Sequence, residues 1–113
     1  PASEAIVDQG ASFDYAGKYF GQALEVTPAK VSAREMSSCQ ELALQMHRLY
    51  GCYGYSRTDM ILTPQGPVFL ETNTLPGITK ASFYPQQLAA AGIKFKDFVA
   101  EMLRLAEARA RPR

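Results

Sequence analysis

The sequence predicts an α+β domain, in which helices pack against an antiparallel sheet. One observation is a hairpin signal near the middle of the chain, where two apolar segments flank a Pro- and Gly-containing turn. Another is a pair of segments whose apolar residues recur at helical spacing. The strands and helices follow one another without the βαβ alternation that is typical of a parallel sheet.

The composition indicates one small globular domain. The chain has 113 residues, of which 47% are hydrophobic and 20% are charged, and these values argue against disorder. A net charge of +1 gives no reason to expect a nucleic acid or membrane partner. The sequence shows no signal-peptide pattern and no apolar run near the roughly 18 residues of a membrane helix.

Two further observations bear on the origin of the chain. Cys39 and Cys52 have neither metal-site nor redox-motif spacing, so we expect reduced thiols in a cytoplasmic protein. The chain starts at Pro1 without an initiator Met. We therefore expect a fragment, a processed chain or an expression boundary.

The amino-terminal quarter is predicted to contain two short strands. The first covers Ser3–Val7 and is followed by a turn at Asp8-Gln9-Gly10. The second covers Gln22–Thr27 and is ended by Pro28. The segment between the turn and the second strand, SFDYAGKYF, is aromatic-rich and is predicted to be irregular.

The first helix is predicted to begin at Ser32, because Ser32 followed by Glu35 matches a capping box. Gly51 is predicted to end it as a C-cap. His47 lies away from the apolar stripe, so we expect it to be a solvated surface residue. The stripe consists of Met36, Cys39, Leu42, Ala43, Met46, Leu49 and Tyr50.

Two helices are predicted in the carboxyl-terminal part, after a loop over Asn73–Lys80. The first covers Pro85–Ala91, because Pro suits the first helical position and Gly92 follows the segment. The second covers about Phe95–Ala108. Its inward face is predicted to consist of Phe95, Phe98, Val99, Met102, Leu103 and Ala106.

The central hairpin is predicted to pair a strand at Tyr53–Leu62 with a strand at Pro67–Thr72. A three-residue loop of Pro64, Gln65 and Gly66 would set Thr63 opposite Pro67 and Ile61 opposite Phe69. The same pairing places Asp59 opposite Glu71 and Arg57 opposite Asn73, with all four side chains on one face. The other face is predicted to be the core face and carries Met60, Leu62, Val68 and Leu70.

The polar face of this hairpin suggests a metal site for phosphate chemistry. Directly opposed like charges destabilise a sheet, so Asp59 against Glu71 favours a cation between them. Mg²⁺ binds carboxylate oxygens together with substrate phosphates, and Asn73 would add a neutral oxygen. Arg57 would face a negatively charged ligand. The alternative is an exposed face of mixed charge, on which Arg57 pairs with Glu71 in water.

The loop after the second hairpin strand is a second candidate for ligand contact. Pro76-Gly77 turns the chain sharply, and Gly77 would let backbone N–H groups approach a ligand closely. Such an N–H could stabilise an oxyanion, and Ser82 could donate a hydroxyl. The alternative is that Pro76-Gly77 is only a turn.

The motifs together resemble a known family. The segments RTDMIL, LETNTLPGIT and ASFYPQQ, with SFDYAGKY and EVTPAK upstream, are similar to the C-terminal part of D-alanine–D-alanine ligases. These are ATP-grasp enzymes, so the resemblance implies the C-terminal subdomain of an ATP-grasp fold. It covers the chain from about Glu4 to Leu103.

The resemblance implies a reaction and its metal ions. ATP phosphorylates the carboxylate of one D-alanine, and the amine of a second D-alanine attacks the acyl phosphate to form a dipeptide for peptidoglycan precursor synthesis in the cytoplasm. Two Mg²⁺ ions, which Mn²⁺ could replace, bridge the nucleotide phosphates. Asp59, Glu71 and Asn73 match the metal ligands, with Glu71 as the bridging carboxylate.

The resemblance also implies roles around the reacting groups. Arg57 matches an arginine that stabilises the transferring phosphate, and Gly77 matches a backbone donor to the developing oxyanion. Tyr19 matches a position associated with choosing an amine over a hydroxyl nucleophile. The groups around the carboxylate of the second D-alanine are matched by Lys18, Ser82 and the backbone of Phe83.

Three departures from the family pattern qualify this expectation. Ala16-Gly17 replaces the Glu-Ala pair before the lysine, and Phe83 stands where a smaller aliphatic residue is common. The N-terminal and central domains of the family enzyme have no counterpart here. We therefore expect the missing domains of the same enzyme as partners in a homodimeric parent, and little activity from this chain alone.

Other functions stay open at this point. A D-alanine–D-lactate ligase, or another ATP-grasp amino acid ligase, would share most of these motifs, although Tyr19 argues against the lactate version. A noncatalytic binding domain could retain the fold, although the presence of Arg57, Asp59, Glu71 and Asn73 together argues against it. The chain could also assemble with a separate chain that supplies the missing domains.

Overall fold

The computed structural model describes residues 1–6 and 24–110. The described part contains two antiparallel two-stranded sheets and three helices, and the predicted α+β class is confirmed. In chain order the elements are β1 (Glu4–Ile6), β2 (Leu24–Val26), α1 (Ala33–Leu49), β3 (Arg57–Thr63), β4 (Gly66–Asn73), α2 (Phe83–Ala90) and α3 (Phe95–Ala110).

The small sheet of β1 and β2 ties the start of the chain to the segment before α1. Glu4 pairs with Val26 in antiparallel register, and the Glu4 carboxylate accepts a hydrogen bond of 2.7 Å from the Lys30 N–H. Gln87 Nε2 on α2 donates to Ser3 Oγ over 3.1 Å. Both predicted strands are therefore present. The predicted turn at Asp8-Gln9-Gly10 and the irregular segment after it lie outside the described residues.

Helix α1 begins and ends as the sequence predicts. The Glu35 N–H donates to Ser32 Oγ over 3.3 Å, and the Ser32 N–H donates to Glu35 Oε2 over 2.8 Å, which is a complete capping box. At the other end Gly51 has a φ of +62°. Its N–H donates to the Arg48 carbonyl, and the Cys52 N–H donates to the His47 carbonyl. This pair of hydrogen bonds satisfies carbonyls that the helix end leaves unpaired.

The apolar stripe of α1 is confirmed only as far as Met46. Cys39 is buried, and Met36, Leu42, Ala43 and Met46 are half-buried, because this side of α1 packs on β3 and β4. Leu49 and Tyr50 are exposed, at 72% and 59%. Leu49 instead lines a surface groove together with Leu44 and Arg48.

Both cysteines are free thiols, as the sequence predicts. Cys39 is buried and Cys52 is half-buried. Burial, with a smaller effect from the negative charge of Glu35, raises the pKa of the Cys39 thiol above its ordinary value. Cys39 therefore behaves as a small apolar core residue.

The turn of the central hairpin differs from the prediction. Thr63 pairs with Gly66, so the loop contains two residues, Pro64 and Gln65, instead of three. Thr63 Oγ1 accepts a hydrogen bond from the Gln65 N–H over 3.2 Å and donates to the Gly66 carbonyl over 2.8 Å, which closes the shorter loop. The pairs that follow are Leu62 with Pro67, Ile61 with Val68 and Met60 with Phe69.

A bulge further along the hairpin restores the predicted pairing at the open end. The register shifts between Asp59 and Met60, so that Leu70 is an extra residue on β4. Beyond it Asp59 pairs with Glu71, and Arg57 pairs with Asn73. The predicted pairs near the turn are thus wrong by one residue, while the predicted polar pairs are confirmed.

The predicted core face of the hairpin is wrong. Leu62, Val68 and Leu70 are exposed, at 36%, 51% and 54%, and Met60 alone of the four is half-buried. The two-residue turn places Phe69 opposite Met60, and the Phe69 ring packs on Tyr50 with the centroids 6.1 Å apart. Since Ile61 is exposed as well, the turn end of the hairpin is open to solvent.

Helices α2 and α3 meet in an aromatic cluster of Tyr55, Tyr84 and Phe98. The ring centroids are 5.2 to 5.5 Å apart, and Phe98 is buried. Helix α2 begins two residues before Pro85, and α3 extends to Ala110. Of the predicted inward residues of α3, Phe98 is buried and Met102 is half-buried, whereas the exposed ones are Phe95, Val99, Leu103 and Ala106.

None of the helices in the described ranges has the length and apolar character needed to cross a membrane.

The capping box of α1 yields a prediction about stability and pH. Replacing Ser32 by Ala should lower the free energy of unfolding by about 1 kcal/mol, measured by urea denaturation. Hydrogen bonds from the Ser32 side chain and backbone lower the pKa of Glu35 in the folded state. This contribution is therefore present above the unfolded-state pKa of Glu35 and is lost as the pH falls through the folded-state pKa. The difference between the two proteins should shrink in acid.

Ser37→Ala is the control for this experiment, because Ser37 Oγ makes an exposed hydrogen bond to Glu41 on the same helix. It should change stability by less than about 0.5 kcal/mol. Equal losses for Ser32→Ala and Ser37→Ala would contradict the capping role.

The aromatic cluster yields a second prediction. Phe98→Ala should destabilise the protein by about 3 kcal/mol or more, since Phe98 is 8% exposed and the change leaves a cavity. Phe95→Ala is the matched control on the same helix. Phe95 is 45% exposed, so Phe95→Ala should lower the free energy of unfolding by only about 1 kcal/mol. Urea denaturation with far-UV circular dichroism measures both, and a larger loss for Phe95 would contradict this description of the core.

Candidate functional site

The candidate site lies on one face of the open end of the β3–β4 hairpin. Arg57 and Asp59 on β3 lie directly across from Asn73 and Glu71 on β4. Because side chains alternate along a strand, these four share one face. The intervening pair, Thr58 and Thr72, is on the opposite face, where the two hydroxyl oxygens lie 3.0 Å apart in a hydrogen bond.

An ion pair on β3 dominates the electrostatics of this face. Arg57 Nε lies 2.7 Å from Asp59 Oδ1, and Arg57 Nη2 lies 2.9 Å from Asp59 Oδ2. The two side chains are 22% and 30% exposed, so solvent only partly screens this bidentate pair. Arg57 thus forms its ion pair with Asp59 and not with Glu71, which was the alternative. Glu71 itself is exposed.

The donor set of this face fits a hard divalent cation. Asp59 and Glu71 offer carboxylate oxygens and Asn73 offers an amide oxygen, and Mg²⁺ prefers oxygen ligands. Asn73 Oδ1 accepts a hydrogen bond of 2.9 Å from the Leu75 N–H, which fixes the amide and leaves its oxygen a second lone pair. Within residues 1–6 and 24–110, no three or more His, Cys, Asp or Glu side chains cluster as a metal site. The third ligand would therefore be the amide.

The loop after β4 holds Gly77 against Ser82. Pro76 is fully buried, and a Cβ atom on Gly77 would lie only 2.9 Å from Ser82 Oγ. Ser82 is the N-cap residue of α2, but its side chain does not cap the helix. Its hydroxyl lies 2.9 Å from Thr79 Oγ1, and its N–H donates to the Thr79 carbonyl. The structure thus brings together Gly77 and Ser82, two of the predicted site residues.

Of the other predicted substrate-contacting residues, Phe83 alone lies in the described part of the chain. Phe83 is the first residue of α2 and is half-buried, and its N–H belongs to the first turn, where no partner exists inside the helix. Lys18 and Tyr19 lie outside the described residues, as does the Ala16-Gly17 departure.

Sequence reasoning missed one contact beside the site. His47 is half-buried, and its Nδ1 lies 2.7 Å from Ser56 Oγ in a hydrogen bond. The expectation of a solvated His47 is therefore wrong. The available signal was that Ser56 immediately precedes Arg57, while His47 lies in the last turn of the helix that packs on the hairpin.

Comparison with known proteins places the chain beside one group of enzymes. The family described as "D-ala D-ala ligase C-terminus" matches residues 2–104. A protein of Leptospira interrogans named D-alanine–D-alanine ligase is 48% identical over 106 residues, which cover 93% of this chain and 30% of that protein. A protein of the same name from Oleidesulfovibrio alaskensis is 47% identical over 95 residues, covering 82% and 31%.

Solved structures show the same relationship. A D-alanine–D-alanine ligase from Bacillus anthracis superposes with a TM-score of 0.72 and 25% identity, covering 94% of this chain and 34% of the other. A structure of the enzyme from that organism complexed with ATP has a TM-score of 0.70, and at 22% identity it supports the fold alone. The chain spans about a third of the length of these relatives.

The contact between Gly77 and Ser82 yields a prediction. Gly77→Ala should force Ser82 Oγ away from Thr79, which should lower the free energy of unfolding by about 1 kcal/mol through the lost hydrogen bond. In a Ser82→Ala background, the new Cβ atom meets no hydroxyl, so Gly77→Ala should lower the free energy of unfolding clearly less. Urea denaturation of the four proteins measures this coupling. Additive losses would show that Gly77 and Ser82 do not contact each other.

Proposed function

The chain belongs to the D-ala D-ala ligase C-terminus family, and on this premise we propose that it forms the carboxyl-terminal catalytic part of an ATP-dependent D-alanine–D-alanine ligase. One observation carries the proposal. Arg57, Asp59, Glu71 and Asn73 lie on one face of a hairpin, where oxygen donors and a guanidinium suit a magnesium–phosphate group. An exposed hairpin with a structural role would need no such combination.

The proposed reaction joins two D-alanine molecules at the expense of ATP. The carboxylate of the first is phosphorylated, and the amine of the second attacks the acyl phosphate, which releases phosphate and leaves the dipeptide. Two Mg²⁺ ions, which Mn²⁺ could replace, would neutralise charge on the nucleotide phosphates. Asp59, Glu71 and Asn73 would hold them, with Glu71 between the two.

Arg57 is proposed to stabilise negative charge on the phosphate during transfer. Its bidentate pair with Asp59 fixes the direction of the guanidinium plane before any substrate binds. Donors that are already oriented stabilise developing charge without reorganisation during the reaction. The ion pair therefore supports both charge balance and orientation.

The loop after β4 is proposed to contact the second substrate. The N–H of Gly77 would donate to the oxyanion that forms during amine attack, and the missing side chain at Gly77 allows close approach. Ser82 and the backbone of Phe83, at the start of α2, would bind the carboxylate of the second D-alanine. Negative charge is favourable at a helix amino terminus.

Two further site residues are proposed from the sequence resemblance. Lys18 would bind near the carboxylate of the second D-alanine. Tyr19 would favour an amine over a hydroxyl nucleophile, and hence a dipeptide over a depsipeptide product.

We also propose the setting in which this chain works. The relatives are about three times as long as the matched region, and their remaining length would supply the nucleotide pocket and the first D-alanine site. The parent would be a cytoplasmic homodimer that makes peptidoglycan precursors, with no nucleic acid or membrane partner. The prediction of little activity from this chain alone stays a prediction.

The proposed bridging role of Glu71 is testable in the complete natural protein that carries this sequence. Glu71→Gln should lower turnover at least about 100-fold while the fold stays intact, because the amide loses the charge that holds the metal ions. ADP release in the presence of D-alanine measures turnover, and far-UV circular dichroism measures folding.

Glu101→Gln is the matched control. Glu101 makes an exposed ion pair with Arg104 on α3, so its replacement by an amide should leave turnover close to that of the natural protein. Near-normal turnover of Glu71→Gln, with an unchanged dependence on Mg²⁺, would refute the bridging role.

A further inference from the structure

The hydrogen bond between His47 and Ser56 joins α1 to the residue before Arg57. His47 lies in the last turn of α1, and its Nδ1 is 2.7 Å from Ser56 Oγ. Both residues are half-buried. Solvent reaches a hydrogen bond in this position only in part, so its loss carries part of the cost of an unsatisfied polar atom.

The two faces of β3 separate this contact from the candidate site. Ser56 and Thr58 line a cavity of about 270 Å³ together with His47 and Ala43 of α1. Because side chains alternate along the strand, Arg57 points to the opposite face. The contact therefore restrains the backbone at the residue before Arg57, from the face of β3 opposite the candidate site.

The segment from α1 to β3 is held to its other neighbours as well. The Tyr53 hydroxyl donates to the Leu105 carbonyl over 2.9 Å, and Arg109 lies 5.1 Å from the centroid of the Tyr53 ring. The Tyr55 ring packs edge-on against Tyr84. These contacts attach the segment to α2 and α3, whereas His47 attaches its last residue to α1.

From this arrangement we infer that His47 is a positioning residue: its hydrogen bond to Ser56 sets the position of the Arg57 backbone, while Asp59 sets the direction of the guanidinium. The inference rests on the proposed function, in which Arg57 contacts the transferring phosphate. A long side chain reaches a fixed point reproducibly only when both its base and its tip are restrained. A displacement of about 1 Å at a reacting group can cost about 100-fold in rate.

The contact does not depend on the charge of His47. In the neutral ring, Nδ1 either donates to Ser56 Oγ or accepts from its hydroxyl, and in the imidazolium Nδ1–H donates. Protonation therefore leaves the hydrogen bond in place.

Three variants of the complete protein test the inference. His47→Phe keeps a ring but removes the nitrogen, and Ser56→Ala removes only the hydroxyl. His47→Asn places an amide atom at the position of Nδ1. Ser37→Ala is the control, since it removes an exposed hydrogen bond on the same helix.

Steady-state kinetics should separate positioning from binding. His47→Phe and Ser56→Ala should each lower kcat about tenfold, with the KM values for ATP and D-alanine within about twofold of the natural protein. The double variant should be no slower than either single one, because both remove the same contact. His47→Asn should recover most of the lost kcat, and Ser37→Ala should change nothing.

A spectroscopic measurement detects the position of Arg57 without activity. In ¹⁵N-labelled protein, the Nε–H signal of Arg57, assigned by its loss in Arg57→Lys, should shift in His47→Phe and Ser56→Ala but not in Ser37→Ala. A lower melting temperature with kcat and this signal unchanged would overturn the inference and leave a structural role only. If the natural protein shows no ligase activity, the proposed function fails, while the shift of this signal still decides the positioning role.

Discussion

Asp59 and Glu71 lie directly opposite each other across two strands, and the polar face of the hairpin is organised around this pair. Two carboxylates in such a pair repel each other, and the chain offsets this in an asymmetric way. Arg57 donates to both carboxylate oxygens of Asp59, whereas Glu71 faces solvent. The Asp59 carboxylate thus orients the guanidinium of Arg57, while the Glu71 carboxylate faces solvent.

This opposition exists only because the hairpin contains a bulge. With Thr63 paired to Gly66, an unbroken ladder would place Asp59 opposite Leu70, and Glu71 would move out of register with it. The extra residue at Leu70 corrects the register by one position. A slip of one residue moves side chains to the other face of a strand, so the bulge is a requirement of the site.

Around the hairpin, the scaffold restrains both ends of the polar face. Helix α1 and the aromatic cluster hold the segment that enters β3, and the buried Pro76 with the Thr79–Ser82 contacts holds the loop that leaves β4. Arg57 and Gly77 therefore lie on backbone that is fixed from several sides. Sites held in this way keep donors oriented before substrate arrives.

Whether a feature can be predicted from the amino-acid sequence alone depends on the sequence separation of the residues that form it. The capping box at Ser32 and Glu35, the helix end at Gly51 and the element order were predictable, because residues within a few positions of one another settle them. The opposition of Asp59 and Glu71 was predicted correctly, but from a loop that is one residue too long. The bulge in the structure offsets that error. Only the tertiary structure decided three other features, because each depends on which surfaces meet in space. They are the exposure of Val68 and Leu70, the ion pair of Arg57 with Asp59, and the His47–Ser56 hydrogen bond.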